Sequence, residues 1–333
     1  MVTTMPIQTP VDAPMVSVVV ACRNESRWIS DCLGSVLGQT HRNLEIIVVD
    51  DGSTDGTPEI VESTSDPRLR LVRQPARGAC AARNVGMRQA RGDLIQMLDG
   101  DDMLAPDKIE HQVARWRQDG DAHVYFGPYA RFVDTIAEAV QRPEANWRDM
   151  SGLEWLVSAW SDGGMMAPHS WLTPAPLIRA AGEWDESLMQ NQDGEYFSRV
   201  LLASSGVRFC SEALSYYRQK SKHSISKRVD RPARESRLRS TLGIIDRLMG
   251  LDGGERTRRA CGNAIEEVMF QTYPEFPDLS SIARRRLSEI GGGDGTRPFR
   301  GPYFKTVSAI LGWRGARFLQ HTHHAVRDRL RRA

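Results

Sequence analysis

The chain has 333 residues with 44 basic and 42 acidic side chains, and its net charge of +2 excludes the strongly basic balance typical of nucleic-acid-binding proteins. Its length predicts one main domain with an appendage, and no apolar run reaches the roughly 18 residues that a membrane-spanning helix needs. The five cysteines are odd in number and lack CxxC spacing, which predicts reduced thiols in a cytoplasmic protein and argues against a zinc site.

The N-terminal third alternates between apolar runs and helical patterns, after a polar, proline-containing leader at residues 1–15 that lacks the features of a signal peptide. Short β-branched or apolar runs predict strands at 16–20, 44–49, 69–72 and 94–98. Helical patterns lie at 28–37, from 57 onwards, at 78–90 and from 106 onwards. This alternation predicts an α/β fold with a mostly parallel sheet that helices cover on both faces.

Two of the predicted strands end in acidic clusters. The strand at 94–98 runs into Asp99, Asp101 and Asp102, and the strand at 44–49 runs into Asp50 and Asp51. Because ligands of such sheets bind beyond the carboxyl ends of the strands, we expect both clusters at one site. Like charges held together favour a bound cation, and carboxylate oxygens suit Mg²⁺ or Mn²⁺. The alternative for residues 50–53 is a simple turn, since Asp, Gly and Ser are turn formers.

The remainder of the chain divides into a mixed region and a helical one. We predict a nucleotide-binding half at 16–121, an acceptor-binding half at 122–226 and a helical C-terminal region with a basic tail at 227–333. Within the mixed region, strands are predicted at 123–126 and across 207–218, with helices at 151–160 and 193–204.

Four motifs in chain order carry a resemblance to a known family. They are the segments 16–25, 48–55, 82–86 and 98–102. Together they resemble the family 2 inverting glycosyltransferases of the GT-A fold, over roughly residues 15–226. The resemblance implies a nucleotide-sugar-binding fold and the transfer of one sugar from a nucleotide-diphosphate donor, UDP- or dTDP-linked by preference, to an acceptor hydroxyl. It also implies a setting in cell-surface polysaccharide or glycoconjugate synthesis.

The resemblance assigns the nucleotide to five residues of the first three motifs. It implies that Ala21 and Arg23 meet the nucleobase through backbone groups and that Glu25 lies near the ribose. Asp51 would accept a hydrogen bond from the imide N–H of uracil or thymine. Arg83 would flank the base or the phosphates, against the alternative of a solvated helix residue.

The metal ligands come from the fourth motif and from a later loop. The resemblance implies that Asp101 binds Mn²⁺ or Mg²⁺ directly, and that Asp99 binds the ribose or the metal's water shell. Asp102 would orient Asp101. His223 is the candidate for a third protein ligand, against the alternative of an ordinary solvated loop.

An inverting transfer needs a general base within hydrogen-bond reach of the acceptor hydroxyl. The family pattern places Asp193 there, and Glu195 is the rival. Gln192 stands where the family usually has Glu, and the loss of that charge should lower rather than raise the pKa of Asp193. Trp184 and Asp185 are candidates for the acceptor side, although Trp184 suits the core equally.

Two further features are interpreted as structural. Gln112–Trp116 spells QxxRW, a signature of processive polysaccharide synthases, but it precedes Asp193 and is read as part of an amphipathic helix. His169 and Trp171 are read as packed side chains rather than acceptor contacts.

The sequence leaves two alternative functions open, and it also leaves two interpretations of the C-terminal tail. A non-catalytic nucleotide-sugar-binding protein would bind without turnover, and a sugar-phosphate nucleotidyltransferase would need a glycine-rich loop that residues 21–26 lack. After Asp294 the chain carries nine Lys and Arg against one acid, with aromatic and aliphatic residues between them. Such a tail favours peripheral contact with the inner face of the membrane, near a lipid-linked acceptor, or else a helix docked on the protein.

Overall fold

The structure is a computed structural model and describes residues 13–164, 166–219, 228–293 and 302–330. Within these ranges the chain forms two compact units. The first contains the described residues up to Trp155, Gly164–Glu186 and those from Gln192 to Gln219. The second contains Leu156–Gly163, Ser187–Asn191 and the described residues from Arg228 onwards. The finer domain bounds given above remain predictions.

The strands of the first unit form two sheets. They are β1 (Val16–Cys22), β2 (Leu44–Asp51), β3 (Leu69–Gln74), β4 (Leu94–Asp99), β5 (Met103–Leu104), β6 (His123–Phe126), β7 (Tyr129–Phe132), β8 (Val140–Gln141), β9 (Trp171–Pro174), β10 (Gly206–Phe209) and β11 (Ser215–Arg218). A seven-stranded sheet has the order β10-β6-β9-β4-β1-β2-β3, and a four-stranded sheet has the order β5-β11-β7-β8. In the larger sheet only β9 runs antiparallel to its neighbours. The prediction of a mostly parallel α/β sheet is therefore confirmed.

Helices accompany the sheets and make up the described part of the C-terminal region. They are α1 (Ile29–Leu37), α2 (Thr57–Ser63), α3 (Ala79–Gln89), α4 (Lys108–Asp119), α5 (Gly152–Asp162), α6 (Ala175–Ala181), α7 (Gln192–Ala203), α8 (Arg231–Leu251), α9 (Glu255–Thr272), α10 (Pro277–Ile290) and α11 (Pro302–Leu330). Short 3₁₀ turns lie at Ile136–Glu138 and Pro168–Ser170. Helix α11 is broken at Gly312, whose φ is 68°. In the part of the chain that the structure describes, no helix is both long and apolar enough to cross a bilayer.

The core of the first unit follows from the apolar strands. Every residue of β1 and β2 is buried, as expected for central strands of a sheet that is covered on both faces. Helix α3 packs so closely on β1 that a Cβ at Gly86 would lie 2.2 Å from Cγ1 of Val19. The third motif thus combines close packing at Gly86 with a charged side chain at Arg83 on the same helix.

Several parts of the fold differ from the sequence prediction, and β5, β7, β8 and α6 were not predicted. The segment predicted as extended over 207–218 forms two strands, β10 and β11, which belong to different sheets. Strand β9 was not predicted, although it lies between β4 and β6. It has only four residues and follows a 3₁₀ turn at Pro168–Ser170, so it gives no periodic signal, and its pairing with β4 and β6 depends on distant residues.

Candidate active site

The carboxyl ends of β1, β2 and β4 bring the first, second and fourth motifs to one edge of the large sheet. Ala21 lies opposite Val49 of β2 and Asp99 of β4 in the strand register. The backbone N–H of Gly100 donates to the carbonyl of Ala21 at 3.0 Å. A Cβ at Gly100 would lie 2.7 Å from Cβ of Cys22, so the turn after β4 can pass this close to β1 only with glycine.

The loops after β1 and β2 are tied to each other. The backbone N–H of Asn24 donates to Oγ of Ser53 at 2.9 Å, and that of Glu25 donates to Oγ1 of Thr57 at 2.8 Å. Ala21 is buried, Arg23 is exposed and Glu25 is partly buried. The structure therefore gathers the residues predicted to meet the base and the ribose into one ordered rim.

Asp51 orders the loop that precedes α3. Its Oδ1 accepts hydrogen bonds from the backbone N–H of Arg77 and from Nε2 of Gln74, both at 2.7 Å, and its Oδ2 accepts one from the N–H of Gly78 at 2.8 Å. The side chain is buried. The simple-turn alternative does not account for these long-range bonds. A base N–H would have to bind a carboxylate that already has three donors, so the role of Asp51 toward a base stays a prediction.

Arg83 joins two of the predicted site residues. Its guanidinium is buried and donates from Nη2 to Oδ1 of Asp99 at 2.7 Å. Its Nη1 lies 3.3 Å from Oδ1 of Asp193, an ion pair without hydrogen-bond alignment. The alternative of a solvated helix residue is therefore wrong. Burial disfavours the charged form, but the carboxylates of Asp99 and Asp193 outweigh it, and the pKa of Arg83 is raised.

Asp193 lies in the first turn of α7, where a carboxylate interacts favourably with the helix dipole. Its Oδ1 is enclosed, whereas 35% of the side-chain surface stays accessible. Burial raises the pKa of Asp193 to about 6, and Asp99 adds to the rise, while Arg83 and His169 oppose it. The pKa is raised overall because desolvation outweighs the opposing charges of Arg83 and His169, and the effect of Gln192 in place of Glu stays a prediction.

Glu195, the alternative candidate for the base, contacts a residue of its own helix. Both oxygens of Glu195 contact Arg199 one helical turn later, at 3.0 and 2.9 Å. Glu195 is buried in this pair. Its engagement along the helix leaves Asp193 as the residue of α7 that the structure brings to the acidic cluster.

The three aspartates after β4 have different surroundings. Asp99 and Asp101 are half-buried, whereas Asp102 is fully buried. Asp102 accepts hydrogen bonds from Nδ1 of His169 at 2.8 Å and from the backbone N–H of Arg218 at 2.9 Å. Burial lowers the pKa of His169 to about 4, so the neutral ring donates from Nδ1 to this carboxylate. Asp102 thus holds His169 and β11 in place, and its expected role of orienting Asp101 stays a prediction.

The fit of these residues to a divalent cation rests on two carboxylates. Asp99 and Asp101 supply the hard oxygen donors that Mn²⁺ and Mg²⁺ prefer. Within the described ranges no group of three or more His, Cys, Asp and Glu side chains is arranged to hold a metal ion. His223 lies outside the described residues.

Arg218 and the acceptor-side candidates are largely structural. The Arg218 guanidinium is buried, contacts Asp31 at 3.1 Å and lies over the ring of Trp28 at 4.1 Å. Trp184 is also buried and stacks on Tyr196 with ring centroids 4.0 Å apart, so it belongs to the core rather than to an exposed acceptor surface. Asp185 beside it is exposed.

One residue that the sequence analysis did not propose as a ligand organises the loop at 183–186. Asn84 exchanges two hydrogen bonds with the backbone of Trp184, at 2.8 and 3.0 Å, and contacts Glu186 at 3.1 Å. The Trp184 ring in turn lies 4.5 Å from the guanidinium of Arg83. Adjacent Arg83 and Asn84 in the third motif were the sequence signal for this arrangement.

The fold is a mostly parallel α/β sheet with a carboxylate cluster beyond its strand ends, which is the edge at which ligands of such sheets bind. The family model described as "Glycosyl transferase family 2" matches residues 17–171. These residues form a family 2 glycosyltransferase domain, as the four motifs predicted.

Relatives agree with this assignment, and solved structures share the fold. The chain is 37% identical to glycosyltransferase GlyG of Streptococcus pneumoniae over 35% of this chain and 40% of GlyG. It is 40% identical to EpsH of Bacillus subtilis over 37% of this chain and 36% of EpsH. The matched part thus spans well under half of these relatives. Residues 1–349 of S. aureus TarS, solved with UDP-GlcNAc, share the fold with a TM-score of 0.61 and 16% identity, over 83% of this chain and 89% of that one.

Proposed function

We propose that this protein transfers one sugar from a nucleotide-diphosphate donor to an acceptor hydroxyl, with inversion, in the synthesis of a polysaccharide or glycoconjugate. The observation that carries the proposal is the buried Arg83 between Asp99 and Asp193. This pairing brings the candidate base of α7 to the carboxylates that follow β4. A donor and an acceptor could therefore meet between the two.

The donor side is assigned to the rim at Ala21, Arg23 and Glu25, with Asp51 and Asp99 nearby in the strand register. We favour a UDP- or dTDP-linked sugar. The solved structures of TarS with UDP and with UDP-GlcNAc support a uridine nucleotide. Asp51 would contribute mainly by ordering residues 74–78, which are tied to both of its oxygens.

Asp193 is proposed as the base that takes the proton from the attacking hydroxyl. Its raised pKa of about 6 makes the carboxylate a stronger base than an exposed aspartate, while it stays ionised at neutral pH. Arg83 holds the carboxylate in place and favours its charged form. No covalent intermediate is needed, because inversion follows from one direct displacement.

The nucleoside diphosphate that leaves during transfer is negatively charged, so a nearby positive charge would stabilise it. Asp99 and Asp101 would hold Mn²⁺ or Mg²⁺, whose charge stabilises the leaving group. His223 remains the candidate for a further ligand. The acceptor, a glycan or a lipid-linked glycan, would enter on the side of Asp185 and Asp193.

The test is thermal unfolding of the full chain with UDP, dTDP, GDP and CDP, each with and without Mn²⁺. A ligand at about a hundred times its dissociation constant stabilises the fold by roughly 2.7 kcal/mol. We expect a shift with UDP or dTDP that requires Mn²⁺ and is lost in Asp101→Ala. Glu59→Ala, which removes an exposed carboxylate on α2, is the control and should keep the shift.

Release of UDP from UDP-GlcNAc, added with Mn²⁺, then separates the rival functions. Hydrolysis or transfer supports the enzyme, and a nucleotide shift without turnover of any UDP-sugar would favour a binding protein. Formation of a nucleotide-sugar from a nucleoside triphosphate and a sugar phosphate would favour the nucleotidyltransferase. No shift with any nucleotide would contradict the proposed donor site.

A further inference from the structure

His169 is a buried side chain at the same sheet edge as the acidic cluster, and one of its ring nitrogens has no assigned role. It belongs to the 3₁₀ turn before β9, and β9 runs antiparallel to β4. The start of β9 therefore lies at the edge where β4 ends in Asp99. Nδ1 of His169 donates to Asp102 at 2.8 Å, whereas Nε2 is enclosed and has no hydrogen-bond partner in the described part of the chain. Because buried polar atoms are as a rule hydrogen-bonded, Nε2 indicates a place for a water molecule or a ligand.

Tyr217 of β11 stacks on the ring of His169. The two ring centroids are 5.7 Å apart, and the ring planes differ by 28°. The backbone N–H of the next residue, Arg218, donates to Asp102 at 2.9 Å, so one carboxylate holds both the His169 ring and the strand that carries Tyr217. Successive side chains of a strand point to opposite faces, and Tyr216 accordingly contacts a ring of β7 instead. The position of the Tyr217 ring is thus fixed from below and along the backbone.

The phenol of Tyr217 is partly exposed and lies beside the candidate active site. Burial raises its pKa, and four carboxylates add to the rise, those of Asp102, Asp101, Asp99 and Asp193. The phenol is therefore close to the proposed cation ligands and to the proposed base. It is protonated at neutral pH, so its hydroxyl can donate a hydrogen bond to a ligand as well as accept one.

The order of the strands indicates which part of a donor would reach Tyr217. Within the large sheet, β2, β1, β4 and β9 are successive neighbours. The residues proposed for the nucleotide follow β1 and β2, and those proposed for the cation follow β4. In a nucleotide-diphosphate sugar, the diphosphate separates the sugar from the nucleoside. A donor that lies across the strand ends in this order brings its sugar to the start of β9, where His169 and Tyr217 stack.

We propose that Tyr217, supported by His169, contacts the sugar of the nucleotide-diphosphate donor and contributes to the selection of that sugar. The phenol ring would pack against the sugar ring, and its hydroxyl would hydrogen bond with a sugar hydroxyl. His169 is a positioning residue, whose ring supports the phenol and whose Nε2 would accept a hydrogen bond from a water molecule beside the sugar. This inference rests on the proposed function, since it requires the donor site, and it adds the side chains that meet the transferred sugar.

The test compares UDP with UDP-sugars, because UDP lacks the part of the donor that Tyr217 is proposed to contact. Titration calorimetry of the full chain with Mn²⁺ gives the Kd for UDP, UDP-glucose, UDP-galactose and UDP-GlcNAc. For the UDP-sugar that the wild type binds most tightly, we expect Tyr217→Leu to raise the Kd about tenfold and Tyr217→Phe, which loses only the hydroxyl, about threefold. The Kd for UDP should change by less than about twofold in both variants, since UDP has no sugar to lose a contact with. Tyr216→Phe, on the opposite face of β11, is the matched control and should bind every ligand as the wild type does.

A variant of His169 tests the support beneath Tyr217. In His169→Asn the side-chain amide can donate to Asp102 in place of Nδ1, but the ring that supports the phenol is missing. We expect this variant to weaken the same UDP-sugar about as much as Tyr217→Leu does and to leave the Kd for UDP unchanged. The two substitutions together should weaken the UDP-sugar little further, because both remove the same contact. Thermal unfolding without ligand shows that each variant is folded, and Tyr217→Phe keeps the packing of the ring.

The readout also separates this inference from the proposed function. Equal losses of affinity for UDP and for the UDP-sugar in Tyr217→Leu would place the phenol elsewhere on the donor, and unchanged affinity for both would exclude the contact. Either result overturns the role of Tyr217, while binding of UDP by the wild type leaves the proposed donor site standing. A wild type that binds neither UDP nor any of the UDP-sugars would contradict the donor site itself, and with it the role of Tyr217.

Discussion

Arg83 combines a structural and a chemical role at the centre of the site. Its guanidinium is 3% exposed and lies within ion-pair distance of Asp99 and Asp193. A buried charge is tolerated only when its partners are present, so each of the three residues depends on the others. This dependence explains how one residue of α3 positions both the acidic turn after β4 and the start of α7.

We expect Arg83→Met to lower the free energy of unfolding by about 2 kcal/mol. The value is below the usual range for a broken buried pair, because Asp99 and Asp193 keep about a third of their side-chain surface accessible. Urea unfolding measures the change. Arg88→Met on the same helix breaks an exposed pair with Glu183 and should change stability by less than about 1 kcal/mol. Equal effects of the two substitutions would contradict the central role of Arg83.

Replacement of the candidate base should separate binding from turnover. We expect Asp193→Asn to reduce sugar transfer at least a hundredfold or so, because the acceptor hydroxyl loses its proton acceptor. UDP binding in the presence of Mn²⁺ should stay within a few-fold of the wild type, as titration calorimetry would show. Glu195→Gln should keep far more activity, since Glu195 contacts Arg199. Loss of UDP binding in Asp193→Asn would argue against this division of roles.

The raised pKa of Asp193 predicts a pH profile. The base works only as the carboxylate, so kcat/KM should rise as the pH increases through about 6 and level off above it. An exposed aspartate would give a plateau that begins about two pH units lower. The profile is measured as UDP release between pH 5 and 8 at saturating Mn²⁺. A flat profile across this range would exclude Asp193 as the titrating base.

At the scale of elements, the contact between α3 and β1 positions Arg83. Gly86 allows the approach, since a Cβ there would lie 2.2 Å from the side chain of Val19. Strand β9 has a comparable effect on the other side of β4, because it inserts between β4 and β6, and the 3₁₀ turn that precedes it places His169 next to Asp102. The two elements fix the flanks of the acidic cluster.

We expect Gly86→Ala to cost about 1–3 kcal/mol of stability, since the helix must shift away from the sheet. Gly34→Ala in α1 is the matched control, because no atom lies within 4 Å of the added Cβ. It should stabilise the protein by roughly 0.5–1 kcal/mol through its helix propensity. Thermal or urea unfolding compares the two. Stabilisation by both would mean that α3 can move without loss.

At the scale of the whole molecule, the described chain has an α/β unit that contains every described candidate site residue and a helical unit that contains α8–α11. We therefore expect UDP with Mn²⁺ to slow hydrogen exchange in the first unit only. Protection should rise at residues 21–25, 50–55, 77–83 and 99–102, and α8–α10 should be unchanged. Mass spectrometry of peptides measures this pattern, and Asp101→Ala should abolish it. Equal protection of both units would contradict the assignment of the site to the first.

Much of the site could be read from the sequence, because its determinants are local. An apolar run followed by acidic residues predicts both a strand and the position of its carboxylates, and parallel pairing then brings Ala21, Asp51 and Asp99 to one edge. The short strand β9 and the separate destinations of β10 and β11 could not be read in this way. Their pairing partners are far away in the chain, and strands of four residues are too short to show a hydrophobic periodicity.

The class of fold, the four motifs and the candidate residues follow from the amino-acid sequence, since strand propensity, helix propensity and residue chemistry are properties of neighbouring residues. The surroundings of those residues depend on the tertiary structure. It buried Arg83 between two carboxylates, raised the pKa of Asp193 and turned Asp102 toward His169. Burial and charge pairing depend on residues from other elements, and the distances between them exist only after the chain has folded.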